Sequence, residues 1–191
     1  MARWTLRFDG LYEPRYTAYG IATYGFTVDH GEERVHEGHG VVVGPGEGGD
    51  ANVAEFGALI HGLAWLVDNA RDEVRACGLH VEGDNKLAIE TVAGRWSLHG
   101  KLVPLRDRAV GLVEALGGPA RVTLEKVSRE RNAEPDALTR LAYREAKEAH
   151  PDWPIGKGAK ELAAKWAKDA KDAQAAGKGK APTRRWDRSR P

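Results

Sequence analysis

Four carboxylates stand in settings that suit chemistry on phosphates. Asp9 closes the run Trp4-Thr5-Leu6-Arg7-Phe8-Asp9-Gly10, and Glu55 lies at the start of the apolar stretch 52–60. Asp84 closes Leu79-His80-Val81-Glu82-Gly83-Asp84, and Asp136 follows Arg131-Asn132-Ala133-Glu134-Pro135. Two acids at strand ends and two at helix starts offer the oxygen ligands that hard cations such as Mg²⁺ or Mn²⁺ take. Carboxylates brought close together repel, so keeping them ionised in one site calls for cations between them. Two such ions about 4 Å apart can activate a water on one side of a phosphodiester and stabilise the departing oxygen on the other.

The elements that must position these acids follow from periodicity. Residues 3–9 alternate, with Trp4, Leu6 and Phe8 on one side and Thr5, Arg7 and Asp9 on the other, as in a half-buried strand. Residues 18–29 and 33–43 predict two more strands joined by a hairpin turn at Asp29-His30-Gly31-Glu32. Val53, Phe56, Ile60, Leu63 and Val67 recur at helical spacing over 51–70, with Asp50 or Asn52 as the cap. A fourth strand is expected at 78–84, a short helix at 85–93 and an amphipathic helix at 102–116, ended by Gly117-Gly118-Pro119. A fifth strand at 120–127 and a helix at 133–149 complete the pattern. An antiparallel opening followed by strands separated by helices predicts an α/β fold, with a five-stranded mixed sheet covered by helices on both faces.

Composition narrows the class. The chain of 191 residues is 41% hydrophobic and 30% charged, enough for one packed domain and an appendage. No apolar run approaches the roughly 18 residues that span a bilayer. A strand pattern begins by residue 3, which leaves no room for a leader peptide. The single cysteine, Cys77, rules out an internal disulfide and is expected to fill the core at the start of a strand. A cytoplasmic protein without membrane attachment is the expectation.

The net charge of +1 conceals an asymmetry. Residues 1–150 carry 18 Lys/Arg against 23 Asp/Glu, whereas residues 151–191 carry 11 against 5. An acidic body that holds cations and a basic tail that meets phosphates would account for both. We divide the chain into a globular unit, 1–149, and a basic C-terminal extension, 150–191. Within the extension, residues 158–176 predict an Ala/Lys-rich helix and 177–191 a segment without fixed structure. Trp166 and Trp186 are its candidates for stacking on nucleic acid. A solvated extension is the equal alternative, and truncation at residue 150 separates the two by its effect on affinity and salt dependence.

The order Phe-Asp-Gly, Asn-x-Ala-Glu, Gly-Asp-Asn and Arg-x-Arg-Asn-x-x-x-Asp resembles ribonuclease H of type 1 over about residues 3–148. It is most similar to the archaeal-like branch, because residues 94–105 lead into the next helix without an inserted basic handle. The resemblance implies the ribonuclease H-like fold, with two Mg²⁺ ions (or Mn²⁺) as cofactor. It also implies an endonuclease that cuts the RNA strand of an RNA–DNA hybrid, leaving 3′-hydroxyl and 5′-phosphate ends. By this resemblance Asp9 bridges both ions, Asp136 helps hold the ion that activates water, and Glu55 and Asp84 hold the ion beside the leaving oxygen. Glu55 also contacts a ribose 2′-hydroxyl, the group that distinguishes RNA from DNA. Substrate contacts are implied for Asn52, Asn85 and the Gly10 amide, and for Arg129, Arg131 and Asn132 in the loop before the last acid. A monomer acting on hybrids is expected. Action on double-stranded RNA as well, or an inactive binding module of the same fold, are the alternatives.

Three features depart from that pattern. The loop Val127–Asn132 lacks the histidine that many relatives use in product release, which leaves Arg129 or Arg131 for the task. Asp50-Ala51-Asn52 stands where Thr-Asn-Asn is usual, and Asp50 would repel a phosphate. The loop from Leu11 to Tyr16 replaces a Gly/Pro-rich turn. Glu82 and Glu134 are expected to be solvated or supporting. His61 and His80 are expected to be structural, and Trp65 to be a packing residue. His99, beside Trp96, is a candidate for touching the DNA strand.

Overall fold

A computed structural model describes residues 2–13, 20–45 and 47–153, together with Ala164, Lys165 and Lys168. Those last three are helical, while the rest of the expected helix at 158–176, the segment 177–191, both tail tryptophans and residues 14–16 of the Leu11–Tyr16 loop lie outside the described residues.

Strands β1 (Trp4–Glu13), β2 (Ile21–His30) and β3 (Glu33–Val43) form an antiparallel meander. Helix α1 (Ala51–Asn69) and the short α2 (Arg71–Cys77) lead to β4 (Leu79–Gly83). Helices α3 (Lys86–Val92) and α4 (Val103–Ala115) then precede β5 (Val122–Lys126) and α5 (Ala133–Ala149). The sheet order is β3-β2-β1-β4-β5, with β1, β4 and β5 parallel to one another. Among the described α-helices, α2 is the one that the sequence pattern does not predict. Its seven residues bury a single side chain, Val74, so no apolar stripe betrays it. Cys77 ends this helix instead of opening β4.

The even-numbered residues of β1 build the main core. Leu6 and Phe8 are wholly buried with Val28 of β2, Phe56, Leu59 and Leu63 of α1, and Val81 and Ile89. Helix α1 starts at Asp50, whose carboxylate accepts the Val53 N–H at 2.9 Å. That oxygen satisfies one of the amide donors a helix start leaves unpaired. Asp50 also pairs with Lys101 at 2.5 Å. Its charge is therefore offset in place, which answers the repulsion expected of an acid at this position. Between α3 and α4 the chain makes a short connection over residues 93–102 that ends in a single 3-10 turn at Gly100–Leu102, so no handle is inserted.

Among the described residues, a helix covers only part of the opposite face of the sheet. Helix α5 packs on β1, β2 and β3. Over β4 and β5 that face carries the polar side chains of His80, Glu82 and Thr123, tied to one another and to Arg7 of β1 by hydrogen bonds and ion pairs. The expectation of helices over both faces therefore holds for three strands. Pairing replaces packing on the rest, because Glu82 is buried there and a buried charge needs a partner.

Candidate functional site

The site lies where the parallel part of the sheet ends. Strand β1 pairs with β4 only from Trp4–Leu79 to Phe8–Gly83, so Asp9 and Asp84 are each one residue beyond the last pair. Asp9 does not end its strand, since β1 runs on beside β2 to Glu13. What ends there is its β4 neighbour, and the gap leaves room for carboxylates. Gly10, next in β1, lets α1 approach: a Cβ on it would collide with the backbone of Ala54 and Glu55. Glu55, in the second turn of α1, is thereby brought against the strand.

Among the described residues, one cluster of three or more potential ligand side chains is close enough to hold a cation, and it consists of Asp9, Glu55 and Asp84. Their ligand oxygens lie within 4.8 Å of one another. Burial is uneven: Asp9 is 5% and Glu55 8% exposed, while Asp84 is half-buried. Burial first, then the charges of Asp84 and Asp136, push the Asp9 carboxyl up to about 7. Burial, Asp9 and Asp84 push Glu55 to about 9, against hydrogen bonds from the Asn85 side chain and the Gly10 N–H. One Glu55 oxygen, Oε2, is buried without a hydrogen-bond partner in this structure. Clustered oxygens, two carboxyls that resist ionisation and an orphaned acceptor all fit a divalent cation.

Asp136, in the first turn of α5, is not part of that trio. It is near enough to raise Asp9, but its carboxylate accepts two hydrogen bonds from Arg140 one turn later, at 2.8 and 3.0 Å. Arg140 supplies the positive charge that lets a fourth acid stand beside three others. α5 comes this close through Gly25, the cross-strand partner of Asp9. A Cβ there would lie 2.5 Å from the Pro135 carbonyl oxygen and 2.7 Å from the Leu138 Cβ. Gly25→Ala is accordingly expected to cost about 1–3 kcal/mol, as over-packing does. It should also weaken Mn²⁺ binding by pushing Asp136 outward. An unchanged melting midpoint in calorimetry would contradict the close approach.

The expected substrate-contact residues divide. Asn85 caps α3, accepting the Ala88 N–H at 3.0 Å, and its side chain also reaches Glu55. The Gly10 N–H faces Glu55 as well. Asn52 is half-buried in the first turn of α1, and Arg129 is exposed with its charge felt at Asp9. Two residues depart from expectation. Asn132 is 1% exposed, too deep to meet a substrate. It donates from Nδ2 to the Phe8 carbonyl at 2.8 Å and to Asp9 Oδ1 at 3.4 Å, so it orients an acid instead. Arg131 donates to Glu82 at 2.7 Å. Glu82 itself is 3% exposed and far from solvated. Sequence periodicity had a signal for Glu82: it shares the inward parity of Asp84 on the same strand.

The histidines and tryptophans behave largely as structural parts. His61 stacks on Tyr24 with ring centroids 4.0 Å apart, and Trp65 stacks on His36 at 4.5 Å. His80 bonds the Thr123 hydroxyl at 2.9 Å. Trp96 is the exception, 44% exposed with the Lys86 ammonium 5.0 Å from its ring centre; His99 is exposed nearby in sequence. No helix among the described residues is long and apolar enough to cross a membrane.

A five-stranded mixed sheet in this order, flanked by helices and carrying acids where the parallel pairing ends, is the ribonuclease H fold. Solved structures agree. RNase H1 from the halophilic archaeon Halobacterium salinarum is 27% identical, with TM-score 0.63, covering 75% of this chain and 99% of its own. The N-terminal RNase H domain of a Mycobacterium tuberculosis protein is 26% identical, with TM-score 0.64, covering 78% and 99%. LC11-RNase H1, solved in complex with an RNA/DNA hybrid, shares the fold at 20% identity and TM-score 0.62, covering 75% and 99%. No protein-family model matches the chain. The chain is related to the ribonucleases H of type 1.

Proposed function

We propose that this protein is a divalent-cation-dependent endonuclease that cuts the RNA strand of RNA–DNA hybrids to 3′-hydroxyl and 5′-phosphate ends. The observation that carries the proposal is the convergence of Asp9, Glu55 and Asp84 at the end of the parallel strands. A protein that only bound nucleic acid would gain nothing from carboxylates aimed at phosphates. The hybrid-bound relative supports the choice of duplex.

We assign Asp9, Glu55, Asp84 and Asp136 to hold two Mg²⁺ ions, with Mn²⁺ as a substitute. Bound there, the ions would lower the pKa of an attacking water and stabilise charge on the departing oxygen. The remaining work belongs to the chain. Asn132 fixes the Asp9 carboxylate, while Asn85 and the Gly10 amide fix Glu55. Glu55 holds a proton at neutral pH and Asp9 is close to half protonated there, and both would give their protons up to a bound cation. Arg140 steadies Asp136 until it is needed as a ligand. Glu55, Asn85 and Asn52 line one side of the site and are assigned to the RNA strand. Exposed Arg129, not the engaged Arg131, is assigned to product release.

A labelled hybrid incubated with Mg²⁺, Mn²⁺ or chelator tests the proposal, with double-stranded RNA alongside. RNA fragments are expected from the hybrid with either ion and none with chelator. Cutting that survives chelation, or an intact hybrid in both metals, would defeat it. Equal cutting of both duplexes would broaden the substrate class.

A further inference from the structure

The start of α5 is fastened to the sheet by alternating charges. Arg131 donates to Glu82 Oε1 at 2.7 Å, and Arg7 Nε donates to Glu82 Oε2 at 2.7 Å. Arg7 Nη1 reaches Asp29 Oδ2 at 2.7 Å, Arg34 Nε reaches Asp29 Oδ1 at 2.5 Å, and Arg34 Nη2 reaches Glu134 at 2.5 Å. Arg131 and Glu134 are three residues apart, so the series closes on itself through the turn that contains Asn132. Three arginines and three acids thus join β4, β1, β2 and β3 to the segment that carries Asn132 and Asp136.

The ring sits one pleat away from the acids. Arg7 precedes Asp9 by two residues in β1 and faces the same side of that strand, and Glu82 lies two residues before Asp84, which follows the end of β4. We propose that this closed ring sets the turn 129–134 against β1, so that Glu82 and Arg131 are positioning residues for the cleavage reaction. The proposal rests on the nuclease reading above. Its physical basis is uneven burial. The Glu82 side chain is 4% exposed and that of Asp29 12%, while those of Arg131 and Glu134 are 59% and 64% exposed. A buried charge that loses a partner is costly, so the inner members hold a single arrangement. The outer members transmit it to the turn. Guanidinium donors in a rigid fork fix direction as well as distance. Through this turn the Asn132 amide keeps its bonds to the Phe8 carbonyl and the Asp9 carboxylate.

Arg131→Gln, Glu82→Gln and the double variant test the proposal in hybrid-cleavage kinetics, Mn²⁺ titration and the ¹⁵N signal of the Asn132 side chain. Each single change should lower kcat about tenfold with KM within about twofold, as loss of an aligned geometry does. The double variant should be no worse than the poorer single one, because both break the same link. Mn²⁺ affinity should fall and the Asn132 amide signal should shift in all three. Arg131→Gln guards against misfolding, since its exposed side chain makes it the gentler change. A raised KM at unchanged kcat would make Arg131 a direct hybrid contact and overturn the proposal. Unaltered kcat and KM would leave the ring merely structural, which also overturns it. If the wild-type protein cuts no hybrid, the nuclease reading fails by itself. Mn²⁺ affinity and the Asn132 signal then decide the ring, and no change in either rejects it.

Discussion

Asp9→Asn should abolish hybrid cleavage and at the same time stabilise the metal-free protein. Asp9 is the acid with most neighbours: Glu55 and Asp84 share its cluster, and Asp136 acts on it from α5. Losing one ligand from such a site removes several kcal/mol of transition-state stabilisation. At about 1.4 kcal/mol per decade that is roughly a thousandfold in rate. The amide keeps the size of the carboxyl and still offers an oxygen to Asn132, so the fold has no reason to change. It removes the charge that burial, Asp84 and Asp136 oppose, and the melting midpoint in chelator at pH 8 should rise. Asp84→Asn should lose activity similarly. Activity within tenfold of wild type, or a lower midpoint for Asp9→Asn, would refute the account of the site.

The second large effect concerns pH and cations together. The Asp9 carboxyl moves from 3.8 to about 7 on folding, and that of Glu55 from 4.5 to about 9. In both cases the folded chain keeps a proton that the unfolded chain has lost. Their stabilising contribution is complete below about pH 4 and is lost as pH climbs through 7 and then 9. At about 1.4 kcal/mol per pKa unit the two moves together set an upper bound of about 10 kcal/mol on the combined loss. His36 and His61, both held below the usual imidazole range by burial, act the other way and only at lower pH. Between pH 6.5 and 9, then, the metal-free midpoint should fall. Mg²⁺ would bind the ionised carboxylates and should restore it, more at pH 8.5 than at pH 5.5. Calorimetry with chelator and with excess Mg²⁺ measures both slopes. A metal-free midpoint that rises over this range would reverse the sign and exclude the mechanism.

Much of this was legible in the chain itself. Strand alternation in 3–9 put Asp9 on the face opposite Leu6 and Phe8, and the helical spacing of Val53, Phe56, Ile60 and Leu63 put Glu55 on a helix entering the core. The family-like order of four acids then named the fold. Such signals are local, because a pleat or a helical turn is fixed by residues within a few positions of each other. The supporting contacts were not legible. Asn132 looked like a substrate residue because its burial depends on Phe8 and Asp9, more than a hundred positions earlier. Glu82 read as either solvated or supporting, because Arg7 and Arg131 approach it from a different strand and a distant loop. Asp136 looked equal to the other acids because only the packing of α5 through Gly25 sets how near it comes. What the sequence determined is which groups are present and which face of its own element each one takes. What the tertiary structure decided is their partners and their protonation, since both depend on distances between segments that no local pattern encodes.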